Sequence, residues 1–152
     1  MQNISTCLWF DNQAEEAAAF YVGIFPNSCI VAKKHYLEGG PGKAGDVMTV
    51  QFMLNGSEYV ALNGGPLFKF SPAISLVANC DTQAEVDRLW SRLLEGGQAS
   101  QCGWLTDRFG LGWQVNYAGL SGLMTGGKSQ QVMEAMMTMT RIDIQKLEDA
   151  AR

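Results

Sequence analysis

The sequence has a single histidine, His35, and no Cys-x-x-C pair; its four cysteines (Cys7, Cys29, Cys80, Cys102) are spaced by 22, 51 and 22 residues. His35 lies between Lys34 and Tyr36 on an early strand pattern near a loop. A multi-histidine metal site and a Ser-His-Asp triad are therefore set aside, and the cysteine spacings do not resemble a zinc site. Basic charge is also scarce. Eleven Lys and Arg against fifteen Asp and Glu give a net charge of −4 with no basic stripe, which argues against nucleic acid as a partner. The apolar runs fall well short of the roughly 18 residues of a membrane span. The N-terminus lacks the basic, apolar, small-residue series of a signal peptide, so the expected compartment is cytoplasmic and the cysteines are expected to be thiols. A chain of 152 residues is about one domain and can stand without a metal or disulfide staple.

What is present is an internal repeat. Asn12-Gln13-Ala14-Glu15 recurs as Thr82-Gln83-Ala84-Glu85, each copy preceded by an aspartate (Asp11, Asp81) and a strand-like run, Ser5–Phe10 and Ser75–Cys80. Helical spacing follows both copies, with Ala14/Ala17/Ala18/Tyr21 in one and Ala84/Leu89/Trp90/Leu93 in the other. Asn or Thr with Glu three residues on reads as a capping box, so helices are expected at 12–24 and 82–95. After the first, Pro26-Asn27-Ser28 breaks the helix, Cys29 begins a strand toward Tyr36, residues 46–54 alternate, and Asn55-Gly56 signals a hairpin returning through 58–63. After the second, Gly96-Gly97 ends the helix, Gln101–Leu105 and Leu111–Tyr117 read as strands, and Asp107–Gly110 reads as the turn between them. Each half is thus βαβββ, and the fold class is α+β with paired βαβββ modules: about 1–66, about 67–118, and a C-terminal helical extension of about 120–152. In that extension Ser129–Met139 has helical spacing and Asp143 caps a last helix; its methionines suit an adaptable core or a subunit interface.

Two glycine motifs point elsewhere and are weak. Gly40–Gly45 matches G-x-G-x-x-G, but a strand pattern follows where a dinucleotide site needs a helix N-terminus. Gly122–Ser129 (GLMTGGKS) matches the phosphate-cradling loop and precedes a helix. Only twenty-three residues remain after it, too few for the further parallel strands and metal-holding aspartate of that fold. The helical carboxylates read as solvated charge.

Several separated segments, in order, carry a family resemblance: Leu8-Trp9-Phe10-Asp11, Ala14–Ala17, Phe20-Tyr21, Leu62–Pro66, Pro72–Ser75, Gln101–Trp104, Gly112-Trp113-Gln114, Val132–Met136 and Arg141–Ile144. Together they resemble the PhnB-like branch of the glyoxalase/bleomycin-resistance/dioxygenase (vicinal oxygen chelate) superfamily, nearly end to end. The resemblance implies that each module curls a sheet into half of a cupped site and that the protein is a homodimer. The branch is often labelled 3-demethylubiquinone-9 3-methyltransferase, yet no glycine loop of the S-adenosylmethionine type sits between a strand and a helix.

In metal-dependent members of the superfamily the ligands come from the first strand and the last strand of each module, positions that map onto Ser5, Ala61, Ser75 and Gln114. Of these only Gln114 could coordinate, so no metal and no cofactor are expected. Alternation from those positions places Cys7 and Trp9 with Ser5, Tyr59 and Asn63 with Ala61, Val77 and Asn79 with Ser75, and Asn116 with Gln114. The expected cavity is apolar and aromatic with neutral hydrogen-bonding groups, walled by Trp9, Trp104 or Trp113, and suits a small uncharged or aromatic ligand. The alternatives are an enzyme with unexpected metal ligands or with Cys7 or Cys102 as thiolate, and an interaction protein with a vestigial pocket. Against the enzyme stands the absence of any residue placed to activate a cysteine.

Overall fold

The computed structural model describes residues 1–152, which fall into two compact units, Met1–Phe70 and Ser71–Arg152. In unit 1 the order is β1 (Thr6–Phe10), α1 (Ala14–Ile24), β2 (Cys29–His35), β3 (Val47–Leu54) and β4 (Ser57–Asn63). The sheet runs β1-β4-β3-β2, with β1 parallel to β4 and the other pairs antiparallel. Asn55 and Gly56 both have positive φ (45° and 86°), the two-residue turn whose twist matches that of the strands. This turn sets Phe52 opposite Tyr59 and Val50 opposite Ala61. Leu8, Phe10, Val50, Phe52, Leu54 and Ala61 are buried on the face that carries α1, whose Ala14, Ala17, Ala18, Tyr21 and Ile24 are equally buried. Alanines let this helix lie close to the sheet, and Tyr21 stacks on Phe52 with ring centroids 6.3 Å apart.

Unit 2 repeats the plan with β5 (Ser75–Cys80), α2 (Gln83–Leu94), β6 (Gln98–Ala99), β7 (Trp104–Thr106) and β8 (Gly112–Tyr117), in the sheet order β5-β8-β7-β6 with β5 parallel to β8. Val86, Leu89, Trp90 and Leu93 of α2 are buried with Leu105, Trp113 and Val115 of the sheet. Two successive βαβββ units, the second followed by terminal helices, have the glyoxalase/bleomycin-resistance fold implied by the resemblance. No helix is long and apolar enough to cross a membrane.

The two repeat copies open equivalent helices by different means. Thr82 Oγ1 accepts from Glu85 N, while Glu85 Oε2 accepts from Asp81 N, a capping box displaced by one residue. Asn12 plays no such part. In its place Asn63, at the end of β4, accepts from Ala14 N through Oδ1 at 2.8 Å and donates from Nδ2 to Val47 O.

Residues 101–103, expected to be strand, form a turn instead. Cys102 (φ 59°) and Gly103 (φ 82°) turn their N–H groups toward the C-terminal segment, bonding Met139 O and Thr140 O at 2.8 Å. A side chain at Gly103 would meet Val115 O at 2.6 Å, so this approach requires glycine. That segment joins α4 (Ser129–Met137), which follows the short α3 (Leu120–Leu123), to α5 (Ile144–Ala150). Asp143 caps α5 by accepting from Lys146 N. Gln83 secures the same segment, donating to Ile142 O and accepting from Ile144 N. Gly122 and Leu123 lie in α3, so GLMTGGKS follows a helix and lacks the strand a phosphate loop requires.

Candidate functional site

Each sheet has one face against its helix and one face free of it. In unit 2 the free face gathers Ser75, Val77 and Asn79 from β5, Gln114 and Asn116 from β8, and Trp104 from β7, since Val77 pairs with Gln114, Asn79 with Asn116 and Trp104 with Gln114. Gln114 Nε2 donates to Ser75 Oγ at 3.0 Å, so the two are fixed to each other and leave Gln114 Oε1 to accept. Trp113 points the other way. It is buried, and its Nε1–H donates to Asp107 Oδ2 at 2.9 Å; Asp107 Oδ1 also accepts from Phe109 N and Leu111 N. Trp113 is therefore core rather than wall.

In unit 1 Cys7 and Trp9 occupy the free face, and Ser5, just before β1, precedes them in the same alternation. The expected β4 residues do not. Ala61 is fully buried opposite Val50 and Leu8, and Tyr59 and Asn63 share its side: Tyr59 stacks on Phe52 at 5.5 Å, and Asn63 caps α1. The free face carries instead Val60 and Leu62, in register with Cys7 and Trp9, together with Thr49, Gln51 and Glu58. Glu58 is the carboxylate that the alternation missed, one step below the Thr6–Tyr59 pair and so level with Ser5. Both of its oxygens are engaged, by Asn3 Nδ2 at 2.6 Å and by Gln51 Nε2 at 2.7 Å.

The donors do not fit a divalent metal. Ala61 and Ser75 offer no strong ligand, Glu58 already accepts two amide hydrogen bonds, and nowhere do three His, Cys, Asp or Glu side chains converge. Nor is a thiolate favoured on this face, because partial burial raises the pKa of Cys7. Burial likewise raises Tyr59, whose phenol stays protonated.

Trp9 closes the far end of the unit 1 face. Its Nε1 donates to Gly65 O at 2.9 Å, its ring lies against Gly64, and Phe68 meets it edge-on with centroids 5.0 Å apart. A side chain at Gly64 would overlap the indole, so glycine there lets chain and ring stack. Beyond Trp9 opens a cleft of about 580 Å³ that reaches Tyr36, Lys43 and Asp46. Unit 2 has a groove of about 690 Å³ beside α2 and α5, away from the free face, where Arg141 and Lys146 pair with Asp87 and Asp143.

Two units of this strand order, each with its helix on one face of its sheet, define a protein of the glyoxalase/bleomycin-resistance fold. Within that class, residues 2–116 match the family model described as 3-demethylubiquinone-9 3-methyltransferase, and the chain belongs to that family. It is similar to a PhnB protein from Bacillus cereus (37% identity, TM-score 0.70, covering 77% of this chain and 100% of that one). A Pseudomonas aeruginosa protein is 25% identical with a TM-score of 0.63, covering 77% and 98%. A glyoxalase-related enzyme from Fulvimarina pelagi, at 17% identity and a TM-score of 0.51, covering 77% and 88%, shares the fold alone. No curated protein matches. The family description names methyl transfer, but the turns entering α1 and α2, residues 11–13 and 81–82, contain no glycine and do not build the phosphate-approaching loop of a nucleotide-type cofactor site.

Proposed function

We propose that the protein binds a small uncharged or aromatic molecule on its helix-free sheet faces, without a metal, and works as a homodimer in the cytoplasm. The observation that carries this reading is the make-up of the unit 2 face. Trp104 supplies a flat apolar surface, and Asn79, Asn116, Gln114 and Ser75 supply neutral donors and acceptors with no ionisable group among them. Such a surface rewards a planar ligand with a few polar substituents and gives little to an ion. On the unit 1 face Cys7, Trp9, Val60 and Leu62 continue the same chemistry. Exposed apolar side chains supply the argument for a second copy: Leu67, Phe68 and Ile74 are all more than half exposed, and so is Met137 of α4.

Glu58 favours a second reading, in which a carboxylate on the unit 1 face takes a proton from a bound substrate. A screen of neutral aromatic compounds by tryptophan fluorescence tests the binding reading. Ligands are expected whose quenching weakens at least fivefold in Trp104→Leu and Gln114→Leu. Binding insensitive to both substitutions overturns it, and turnover of a ligand that stops in Glu58→Gln moves the enzyme reading ahead.

A further inference from the structure

Tyr36 and Trp9 are set into one rigid frame. The Tyr36 hydroxyl donates to Asn63 O, and the Trp9 Nε1–H donates to Gly65 O two residues later, so both ring systems are tied to the segment leaving β4. Each has a glycine against its ring: Gly64 beside Trp9, and Gly42 beside Tyr36, where an added side chain would stand 2.5 Å from the ring carbons. The loop that delivers Gly42 is closed at its neck by Tyr36 N to Asp46 O (2.8 Å) and Gly45 N to Tyr36 O (2.9 Å). The G-x-G-x-x-G match thus serves to let a loop fold flat onto an aromatic ring.

Both rings line the cleft of about 580 Å³, together with Val47, Leu62, Asp11, Glu15, Asp46 and Lys43. Glu15 is already paired with Lys33 at 2.8 Å. Asp11 and Asp46 form no ion pair, so two carboxylates stand against one ammonium, that of Lys43. Aromatic walls attract a cation through the ring quadrupole, and carboxylates at the rim add Coulombic attraction and repel anions. The unit 2 groove also carries carboxylates and aromatic rings, but its Asp87 and Asp143 are paired with Arg141 and Lys146, its Glu148 accepts from the Tyr117 hydroxyl, and its Trp90 is buried.

We infer that the Trp9–Tyr36 cleft is a binding site for a small organic cation with an apolar body, such as a substituted ammonium. The site shares Trp9 and Leu62 with the proposed unit 1 ligand face and nothing with that of unit 2. The probe pair is phenyltrimethylammonium and its uncharged carbon isostere, tert-butylbenzene, titrated by tryptophan fluorescence and calorimetry. The cation is expected to bind at least fivefold more tightly than the isostere. Asp11→Asn with Asp46→Asn should abolish that preference, Lys43→Gln should increase it, and Gly42→Ala, which displaces Tyr36, should weaken the cation while leaving thermal stability within a few degrees. The substituted carboxylates are exposed, so these variants are expected to fold. Equal affinity for the two probes, or a preference that survives the double substitution, overturns the inference, as does the failure of the cation to bind at all. Trp104→Leu separates the two sites: it should leave the cation untouched while impairing the neutral ligands proposed for unit 2.

Discussion

At the scale of single residues, the side chains that look chemical are mostly occupied by the fold. Asp107, 3% exposed, accepts from the Trp113 indole and two backbone N–H groups, so it is a structural acceptor that closes the turn between β7 and β8. Asp107→Ala strands three donors in a dry site and is expected to lower stability by about 2–4 kcal/mol in urea unfolding, since bonds to charged groups exceed neutral ones; a loss below about 1 kcal/mol would show that water replaces them. Cys80 gives a pH signature. Burial, with Glu85 and Asp81 adding to it, raises its thiol to about 11 from an ordinary 9. The folded state therefore holds this proton where the unfolded chain releases it. The associated stability is complete below pH 9 and is lost as pH rises through 11, by about 2–3 kcal/mol at most. Melting curves from pH 8 to 11 should fall more steeply for the native chain than for Cys80→Ala. Cys7, also raised by burial, is expected to react with iodoacetamide at pH 7.5 more slowly than free cysteine, measured in a chain with its other three thiols removed. Faster reaction would revive the thiolate enzyme.

At the scale of elements, the repeat was legible because both copies carry strand, turn and amphipathic helix at the same offsets. The face assignments were legible only where one alternating set is plainly polar. Ser75, Val77 and Asn79 alternate with Leu76, Ala78 and Cys80, and the structure puts the first set on the free face of β5. On β4 both sets are mixed, Tyr59/Ala61/Asn63 against Val60/Leu62, so alternation alone cannot choose between them. The signal that could have chosen is the Asn55-Gly56 turn. A two-residue hairpin sets Leu54 opposite Ser57, hence Phe52 opposite Tyr59 and Val50 opposite Ala61, and the apolar Val50/Phe52/Leu54 set belongs to the core. The strand expected over 101–105 begins only at Trp104 for a different reason: Cys102 and Gly103 bond to Met139 and Thr140, a contact across more than thirty residues that leaves no local mark. The two helix caps offer a test of unequal weight. Thr82→Ala removes one hydrogen bond and should lose about 1 kcal/mol. Asn63→Ala removes the cap of α1 together with the tie to Val47 O and should lose more, about 2 kcal/mol, with α1 amides exchanging faster than those of α2. Equal losses would mean that water caps α1 as well.

For the whole molecule the question is what covers the surfaces its sheets leave open. Strand β2 is exposed along all seven residues, but it is guarded: Lys33 and Lys34 place charge on the edge, and register shifts at Ile30/Ala32 and Lys34/His35 disrupt the ladder that a stray strand would need. The exposed side chains of the 67–77 segment have no such guard. Leu67 is 75% exposed, Ile74 61%, Phe68 59% and Val77 46%, a density of apolar side chains that isolated chains seldom leave in water. A symmetric dimer would bury this segment against its own copy, or against the exposed Met133 and Met137 of α4. Sedimentation equilibrium at micromolar concentration should then give a mass near twice 16.6 kDa. Replacing Leu67 and Ile74 by Lys should shift the protein toward monomer and leave far-ultraviolet circular dichroism unchanged, because neither side chain belongs to the buried core of its unit. A native chain that stays monomeric at tens of micromolar would remove the dimer and assign the segment to a different partner. A double variant that unfolds would show that these side chains stabilise the subunit itself.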